Sequence, residues 1–324
     1  MEHSSADGNQ NSFRFLFCVE TPLRFQRNHV IYPITVVAFL SITAFVGNVF
    51  ILIALNKISS IHPPSKLLFR CLAVTDILVA LVAEPLHAVY LFSIRTMTEE
   101  GNIVCLYAAT FSITIATTLC GVSLSTSAAI SLDRLMALVL GLRYRHVVTF
   151  KRTISVVIGL WALGIILTAV SFWGFTLSKS MIFIALAVLV FCVTVSGVGY
   201  TKIVLILRNR ETQIASHSQA AFSPNISRLR KVVCSALWVQ VILEVCYVPF
   251  LVVTTLFIFN ESGRTHQSLF IAWEFTGILI FLSSSLNPFL YCYKIPEVRQ
   301  AVRRTIRQVF RLSNEADAVI NSTR

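Results

Sequence analysis

The residues able to do chemistry are few, and most sit inside long apolar runs. Asp76 lies in Leu-Ala-Val-Thr-Asp, Glu84 and His87 follow in the same run, and Glu244 and Glu274 interrupt two later ones. An ionisable side chain surrounded by lipid is costly and turns toward protein or water, so each is a candidate for holding an ion, a ligand or a proton. Asn48 and Asn287, in the first and last runs, can offer amide oxygens and donors to such a carboxylate. Asp133-Arg134 closes a run threaded with hydroxyl residues, Thr117 and Ser123 among them. Small hydroxyl side chains let helices approach closely, which makes this the most enclosed helix. Catalysis has nothing to rest on: no HExxH, GxSxG or paired Ser/His/Asp constellation occurs, so the chain is not expected to be an enzyme. The eight cysteines form no CxxC or Cys/His pattern of the kind that binds a metal.

The elements that must position these residues follow from composition. Of 324 residues, 56% are hydrophobic and 13% charged, against roughly 25% charged in soluble domains. The mean hydropathy of +0.75 exceeds what one soluble core can hide, so the solvent is lipid. The net charge of +12 does not point to nucleic acid, because the basic residues fall in segments between apolar runs rather than on one face of a domain. A helix needs about 20 mostly apolar residues to cross a bilayer. Seven stretches qualify: Val30–Asn56, Leu67–Ser93, Asn102–Leu138, Thr153–Trp173, Ser180–Leu207, Leu229–Phe259 and Ser268–Tyr293. The expected fold is an all-α membrane protein, a seven-transmembrane helix bundle spanning 30–293, with an N-terminal segment over 1–29 and a tail over 294–324. The first segment lacks the pattern of a cleaved signal peptide, which leaves the first span as an uncleaved anchor.

Basic residues set the orientation. With the N-terminus outside, Lys57, Lys66, Arg70, Arg143, Arg145, Lys151, Arg152, Lys202, Arg230 and Lys231 fall on the inner face, leaving few outside. N-out and C-in is therefore expected. After the seventh span, Val298, Val302, Ile306, Val309 and Phe310 recur at helical spacing with Arg299, Arg303, Arg304 and Arg307 between them. That pattern predicts an amphipathic helix on the anionic inner leaflet; a solvated basic tail is the plainer alternative.

Gly47-Asn48, Leu72-Ala73-Val74-Thr75-Asp76, Asp133-Arg134, Trp161, Pro249 and Asn287-Pro288-Phe289-Leu290-Tyr291 stand one group per span in six of the seven spans. In this combination the chain resembles a rhodopsin-like (class A) G-protein-coupled receptor, over about Val30 to Phe310. The resemblance implies an activation switch of Asp133, Arg134, Tyr200, Pro249 and Tyr291, with Leu135 replacing the family's tyrosine after the arginine. It implies that Arg134 meets the G protein. The sixth-helix acid that usually pairs with that arginine is missing near Leu229, which leaves Asp133 as its partner. It also implies a sodium ion or a polar network at Asp76, Ser123, Asn287, Asn48 and Ser283. Pro249 would be the hinge of the sixth helix, and Tyr247, where the family usually has tryptophan, the switch beneath the ligand.

The family's usual disulfide joins the top of helix three to the second outer loop, but here that loop has no cysteine. The resemblance therefore leaves Cys105 either paired with Cys18 or, like it, a free thiol. Asn260, in Asn-Glu-Ser, is a possible glycosylation site in the third outer loop. The implied ligand pocket comprises Glu84, His87, Ala116, Thr117, Cys120, Tyr247, Phe250, Trp273, Glu274 and Gly277. Ala116 stands where amine receptors carry their counter-ion, and the seventh span has no lysine for a retinal Schiff base. The short second outer loop and the missing fifth-helix proline are similar to the melanocortin, lipid and adenosine receptor grouping. A lipid and a small peptide with a basic group both stay open, and Glu84 and Glu274 could equally be structural acids.

The implied function is a plasma-membrane receptor that binds an extracellular ligand and activates heterotrimeric G proteins, with arrestin a further partner and no cofactor beyond the sodium ion. Two alternatives stand beside it. One is a seven-span receptor not coupled to G proteins, kept open by Leu135 and Tyr247. The other is a transporter or channel using Asp76, Glu84 and Glu244, against which stand the absence of an internal repeat and of a broken helix pair.

Overall fold

The computed structural model describes Cys18 and residues 31–59, 61–96, 103–172, 179–217, 224–259, 264–294 and 298–308. Among these residues there is no strand. Helix α1 spans Ile31–Lys57. Helix α2 spans Pro63–Leu78, passes through a π-helical turn at Val79–Ala83, and continues without a break as α3, Glu84–Thr96. Helix α4 is Ile103–Leu140, followed by a 3₁₀ turn at Gly141–Arg143 and the short α5, Tyr144–Val147. Then come α6, Phe150–Phe172, α7, Lys179–His217, α8, Pro224–Phe259, and α9, Arg264–Lys294. A last helix, α10, covers 298–308.

Hydropathy located every span, and the differences lie at the ends. Helix α2 begins at Pro63 rather than near Leu67, because Pro63 and Pro64 occupy first-turn positions whose missing N–H groups cost nothing. Helix α7 runs past Leu207 to His217; the apolar run marks only the lipid-immersed part of a helix that continues into water. Among the described residues, five helical stretches are long and apolar enough to cross a bilayer unaided, and α8 contributes a shorter apolar stretch, Val241–Phe257. The α2–α3 rod is not among the five. Within it, Asp76, Glu84 and His87 are all buried in the bundle.

Helix α4 is the axis, packing on α2, α3, α6 and α7, while α9 closes the ring against α8 and α1. Outward-facing side chains are apolar: Phe39, Ile42, Ile165 and Phe191 are all more than 60% exposed. The interior holds Asn48, Asp76, Glu84, Ser112, Thr126 and Ser131, none with any accessible surface. This arrangement suits lipid, where exposed apolar surface is free and polar groups gather inside. Side-chain hydrogen bonds also hold the peripheral α6, where Trp161 Nε1 donates to Cys71 Sγ at 3.4 Å and Thr168 meets Thr118 across the α4 contact.

At the end carrying the basic segments, Val298, Ala301 and Val302 of α10 are buried against Ile51, Leu55 and Leu72, while Arg299, Arg303, Arg304 and Arg307 are exposed. The expected amphipathic helix is thus formed. Lys57 Nζ ties it to α1 by donating to Thr305 and Gln308 at 3.1 and 2.8 Å. Val309 and Phe310 lie outside the described residues.

Gly47 explains how α1 and α9 come so close. A Cβ at this position would stand 2.8 Å from Pro288 Cγ, on a ring that cannot rotate away. At Gly159 an added Cβ would meet nothing within 4 Å. Gly47→Ala is therefore expected to cost about 1–3 kcal/mol by forcing the two helices apart. Gly159→Ala should be neutral or slightly stabilising, and melting curves of the two purified variants compare them directly.

Candidate functional site

Three polar clusters stack along the bundle interior, each built where several helices meet. Toward the basic end, α4 carries Asp133 and Arg134 in its last turns before Leu140. Asp133 is 2% exposed and is held by two hydroxyls: Ser65 Oγ of α2 donates to Oδ2 at 2.7 Å, and Tyr144 Oη of α5 to Oδ1 at 2.6 Å. Arg134 Nη2 lies 3.6 Å from the same carboxylate, and its guanidinium sits over the Phe69 ring, 5.4 Å from the centroid. Asp133 is thus the acid beside Arg134; the side chains near Leu229 lie outside the described residues. Phe69 in turn meets Tyr291 edge-on at 5.1 Å. Tyr200 is buried separately, with Leu138 and Ile203.

Midway, Asp76 accepts one bond on each oxygen, from Ser123 of α4 at 2.9 Å and from the Asn287 amide of α9 at 2.8 Å. Ser284 faces the same carboxylate. Two expected members stand elsewhere. Ser283 donates back to the Ile280 carbonyl, because one residue along a helix turns a side chain by about 100°, and the run of three serines hid which one points inward. Asn48 donates to the Ala44 and Ser284 carbonyls, joining α1 to α9 rather than bonding Asp76.

The third cluster lies toward the end that carries the disulfide, and the π turn creates it. At 100° per residue, positions eight apart lie about 80° apart around a regular helix. With one residue absorbed by the π turn, Glu84 comes back to within about 20° of Asp76, two turns further along. No sequence pattern announced this turn. Glu84 is fully buried, and neither carboxylate oxygen has a hydrogen-bond partner. His87, one turn on, shares a hydrogen bond between its Nδ1 and Ser112 Oγ (3.3 Å) and packs edge-on against Phe281. Its Nε2 lies 3.2 Å from Glu274 Oε2 of α9, though not in hydrogen-bonding geometry. Phe250, Phe257, Phe270 and Trp273 form an aromatic group beside it, with ring centroids 6.1 to 6.4 Å apart.

Other expected pocket residues divide. Tyr247 is buried and donates to the Cys120 carbonyl at 3.3 Å, so α8 is tied to α4 just below Pro249. Ala116 is half-buried against the same core and Gly277 is half-buried on α9. Thr117 is exposed and stands apart from the buried cluster. Cys18 and Cys105 are bonded to each other, with Cα atoms 6.0 Å apart, and both are buried among Tyr90, Leu91, Phe257 and Phe270. The bond pins Cys18 onto this end of the bundle. Asn260 lies outside the described residues.

A seven-helix bundle with an Asp-Arg pair at one end and an Asp76–Asn287 bond at its middle narrows the comparison with known proteins. The description "7 transmembrane receptor (rhodopsin family)" matches residues 47–180 and 174–291. The chain belongs to that family. It is 23% identical over 278 residues to melanocortin receptor 5 of Pan troglodytes, covering 82% of each chain, and the same holds for melanocortin receptor 5 of Homo sapiens. It is 26% identical over 294 residues to adenosine receptor A3 of Ovis aries, covering 82% of this chain and 87% of that one. These relatives are receptors, and the receptor described here is a membrane protein of the G-protein-coupled family.

Ser65, Phe69 and Tyr144 are the residues of the basic end that sequence reasoning missed; Tyr144 lies past the apolar run in a segment with no pattern of its own. Burial, then its bond to Asp133, pushes its phenol up to about 12. The raised value means that its contribution to stability is complete below pH 10 and is lost as the pH rises from 10 through 12. Removing a hydrogen bond to a buried charge costs roughly 1.5–3 kcal/mol. Tyr144→Phe should lower the melting temperature at pH 7.5, and the gap from wild type should close as the pH approaches 12.

Proposed function

We propose that this receptor binds an extracellular ligand and activates heterotrimeric G proteins across the plasma membrane. The observation that carries the reading is the state of Arg134. Its side chain is 31% exposed at the basic end, and among the described residues Asp133 and the Phe69 ring restrain it. A cation so loosely held can exchange these contacts for carbonyls or a carboxylate on a partner. The Cys18–Cys105 bond supports the orientation, since disulfides persist in oxidising compartments and this one closes the end opposite the basic segments. Arrestin would use the same basic face.

Pro249 lies inside α8 and removes one hydrogen bond from its ladder, which supports a hinge there. A ligand reaching Tyr247 would bear on the bond between α8 and α4, and its effect would equal its preference for the open state. At the middle of the bundle, Asp76, Ser123, Ser284 and Asn287 present the hard oxygens that a sodium ion prefers, and such an ion would hold α2, α4 and α9 together. A seven-span receptor that does not couple to G proteins is the second reading, favoured by Leu135 and Tyr247 in place of the family's aromatic pair.

Nucleotide exchange on purified G proteins of the four classes, in membranes bearing the ligand-free receptor, tests the proposal. Wild type should exceed Arg134→Ala at matched surface level for at least one class. Equal exchange with all four, with and without agonist libraries, would favour the uncoupled receptor.

A further inference from the structure

Three polar groups converge at the disulfide end without completing a hydrogen bond. His87 Nε2 of α3 lies 3.2 Å from Glu274 Oε2 of α9, and the Tyr90 hydroxyl, one turn beyond His87, faces the same carboxylate. All three side chains are buried. Among the described residues, His87 Nε2, the Tyr90 hydroxyl and both Glu274 oxygens have no hydrogen-bond partner. On the other side of the imidazole, Nδ1 is paired with Ser112 Oγ of α4 at 3.3 Å, and the Phe281 ring of α9 meets the imidazole edge-on. The ring is thus held between a hydroxyl on α4 and a carboxylate on α9.

Counting protons decides what the contact with Glu274 is. A neutral imidazole carries one N–H. With that proton on Nδ1, Ser112 is served and the Nε2 lone pair is turned on the Glu274 oxygen. With it on Nε2, Nδ1 accepts from Ser112, and Glu274 stays a buried carboxylate beside a neutral ring. One added proton satisfies both sides, Nδ1–H toward Ser112 and Nε2–H toward Glu274, and opposite charges then meet in a contact that is stronger than a neutral hydrogen bond. Histidine is the side chain that ordinarily changes charge between about pH 5 and 8. The other titratable groups on the surrounding elements are Glu84 and Arg95 on α3, Asp76 on α2, Cys120 on α4 and Tyr247 on α8. Helix α1 contributes Tyr32, which is exposed, and Lys57, at the basic end. Glu84, one turn deeper than His87 and with neither oxygen hydrogen-bonded, is the rival acceptor for the same proton.

We propose that the receptor binds a proton at this end: acidification charges His87, and the imidazolium closes on Glu274 as a latch between α3 and α9. The latch acts on the helix whose Asn287 bonds Asp76. The folded state takes up the proton in a contact that the unfolded chain lacks, so stability rises as the pH falls and is lost as the pH rises again. On the receptor reading above, this end faces the extracellular medium and the proton is an extracellular signal, but the latch itself involves no G protein.

The test uses the full-length receptor, purified in phosphatidylcholine nanodiscs, with the proton as the only probe. Melting temperature is recorded from about pH 8 down to about pH 5.5, the range in which histidine titrates, for wild type, His87→Gln, Glu274→Gln, the double variant and Glu84→Gln. Acidification should raise the melting temperature of wild type by about 2–5 °C more than that of either single variant at the latch. The double variant should respond no less than the singles, since both side chains act through one contact, and Glu84→Gln should keep the wild-type response. In receptor labelled with nitrogen-15 in its histidine rings, the signal missing from His87→Gln should show both ring nitrogens protonated at the acid end of the range. His87→Asn takes the place of His87→Gln if the latter folds poorly. A wild-type melting temperature that acid does not raise would overturn the proposal, as would a full response in His87→Gln or in Glu274→Gln. Loss of the response in Glu84→Gln with its retention in the other two would assign the proton to Glu84 and overturn the latch. Because no G protein is present, failure of coupling and failure of the latch are read in separate experiments.

Discussion

The rest of the bundle depends on the bond between a buried carboxylate and the helices around it. Asp76 sits at the centre of the membrane and takes one donor from α4 and one from α9. Between helices in lipid there is little hydrophobic driving force, since the surrounding chains are as apolar as the side chains. Close packing and a few polar contacts must then specify which helix lies beside which. Gly47 against Pro288 supplies close packing between α1 and α9, and Asn48 adds a hydrogen bond to the Ser284 carbonyl one turn away. The motifs spread over the spans are in this sense a single construction, in which each residue fixes a neighbour of the helix bearing Asp76.

The same interior runs from one end of the bundle to the other, but its satisfaction changes along the way. Asp133 at the basic end is fully partnered by Ser65, Tyr144 and Arg134. Asp76 is partnered at both oxygens. Beyond the π turn, Glu274 has His87 Nε2 at 3.2 Å, and neither Glu84 oxygen has a hydrogen-bond partner among the described residues. The column is thus most fully hydrogen-bonded at the basic end and the middle and least so in this second part. The disulfide and the aromatic group of Phe250, Phe257, Phe270 and Trp273 enclose that second part.

Much of this was legible in the amino-acid sequence, for physical reasons that also mark where legibility stopped. Seven apolar runs could be counted because a lipid-spanning helix must be long and apolar, and the grouping of Asp76 with Ser123 and Asn287 was implied by the resemblance to rhodopsin-like receptors. The π turn at Val79–Ala83 could not be foreseen: Val-Ala-Leu-Val-Ala is equally compatible with an α-helix, and the extra residue is set by packing against α1 and α4. Ser284 rather than Ser283 faces Asp76 for a similar reason, as three adjacent serines carry no phase information. Thr117 was named with Ala116 in the implied ligand pocket, yet neighbours on a helix point about 100° apart, and of the two Ala116 packs into the core. Tyr144 escaped because its role depends on a 3₁₀ turn folding the chain back beneath α4.

How a ligand at one end could influence Arg134 at the other follows from which contacts are discrete. Tyr247 joins α8 to α4 through a hydrogen bond to the Cys120 carbonyl, two residues before the proline inside α8. Leu124, Ala128 and Leu243 continue the same packed core toward the basic end. Packed interiors tolerate few intermediate arrangements, so under the proposed function a displacement of Tyr247 would be resolved by α8 rotating as a unit about Pro249 rather than by gradual deformation. Among the described residues, Arg134 has one carboxylate and one ring to leave. On the proposed reading, the energetic distance between closed and open states would depend less on a single lock than on how well α8 repacks against α4 and α7.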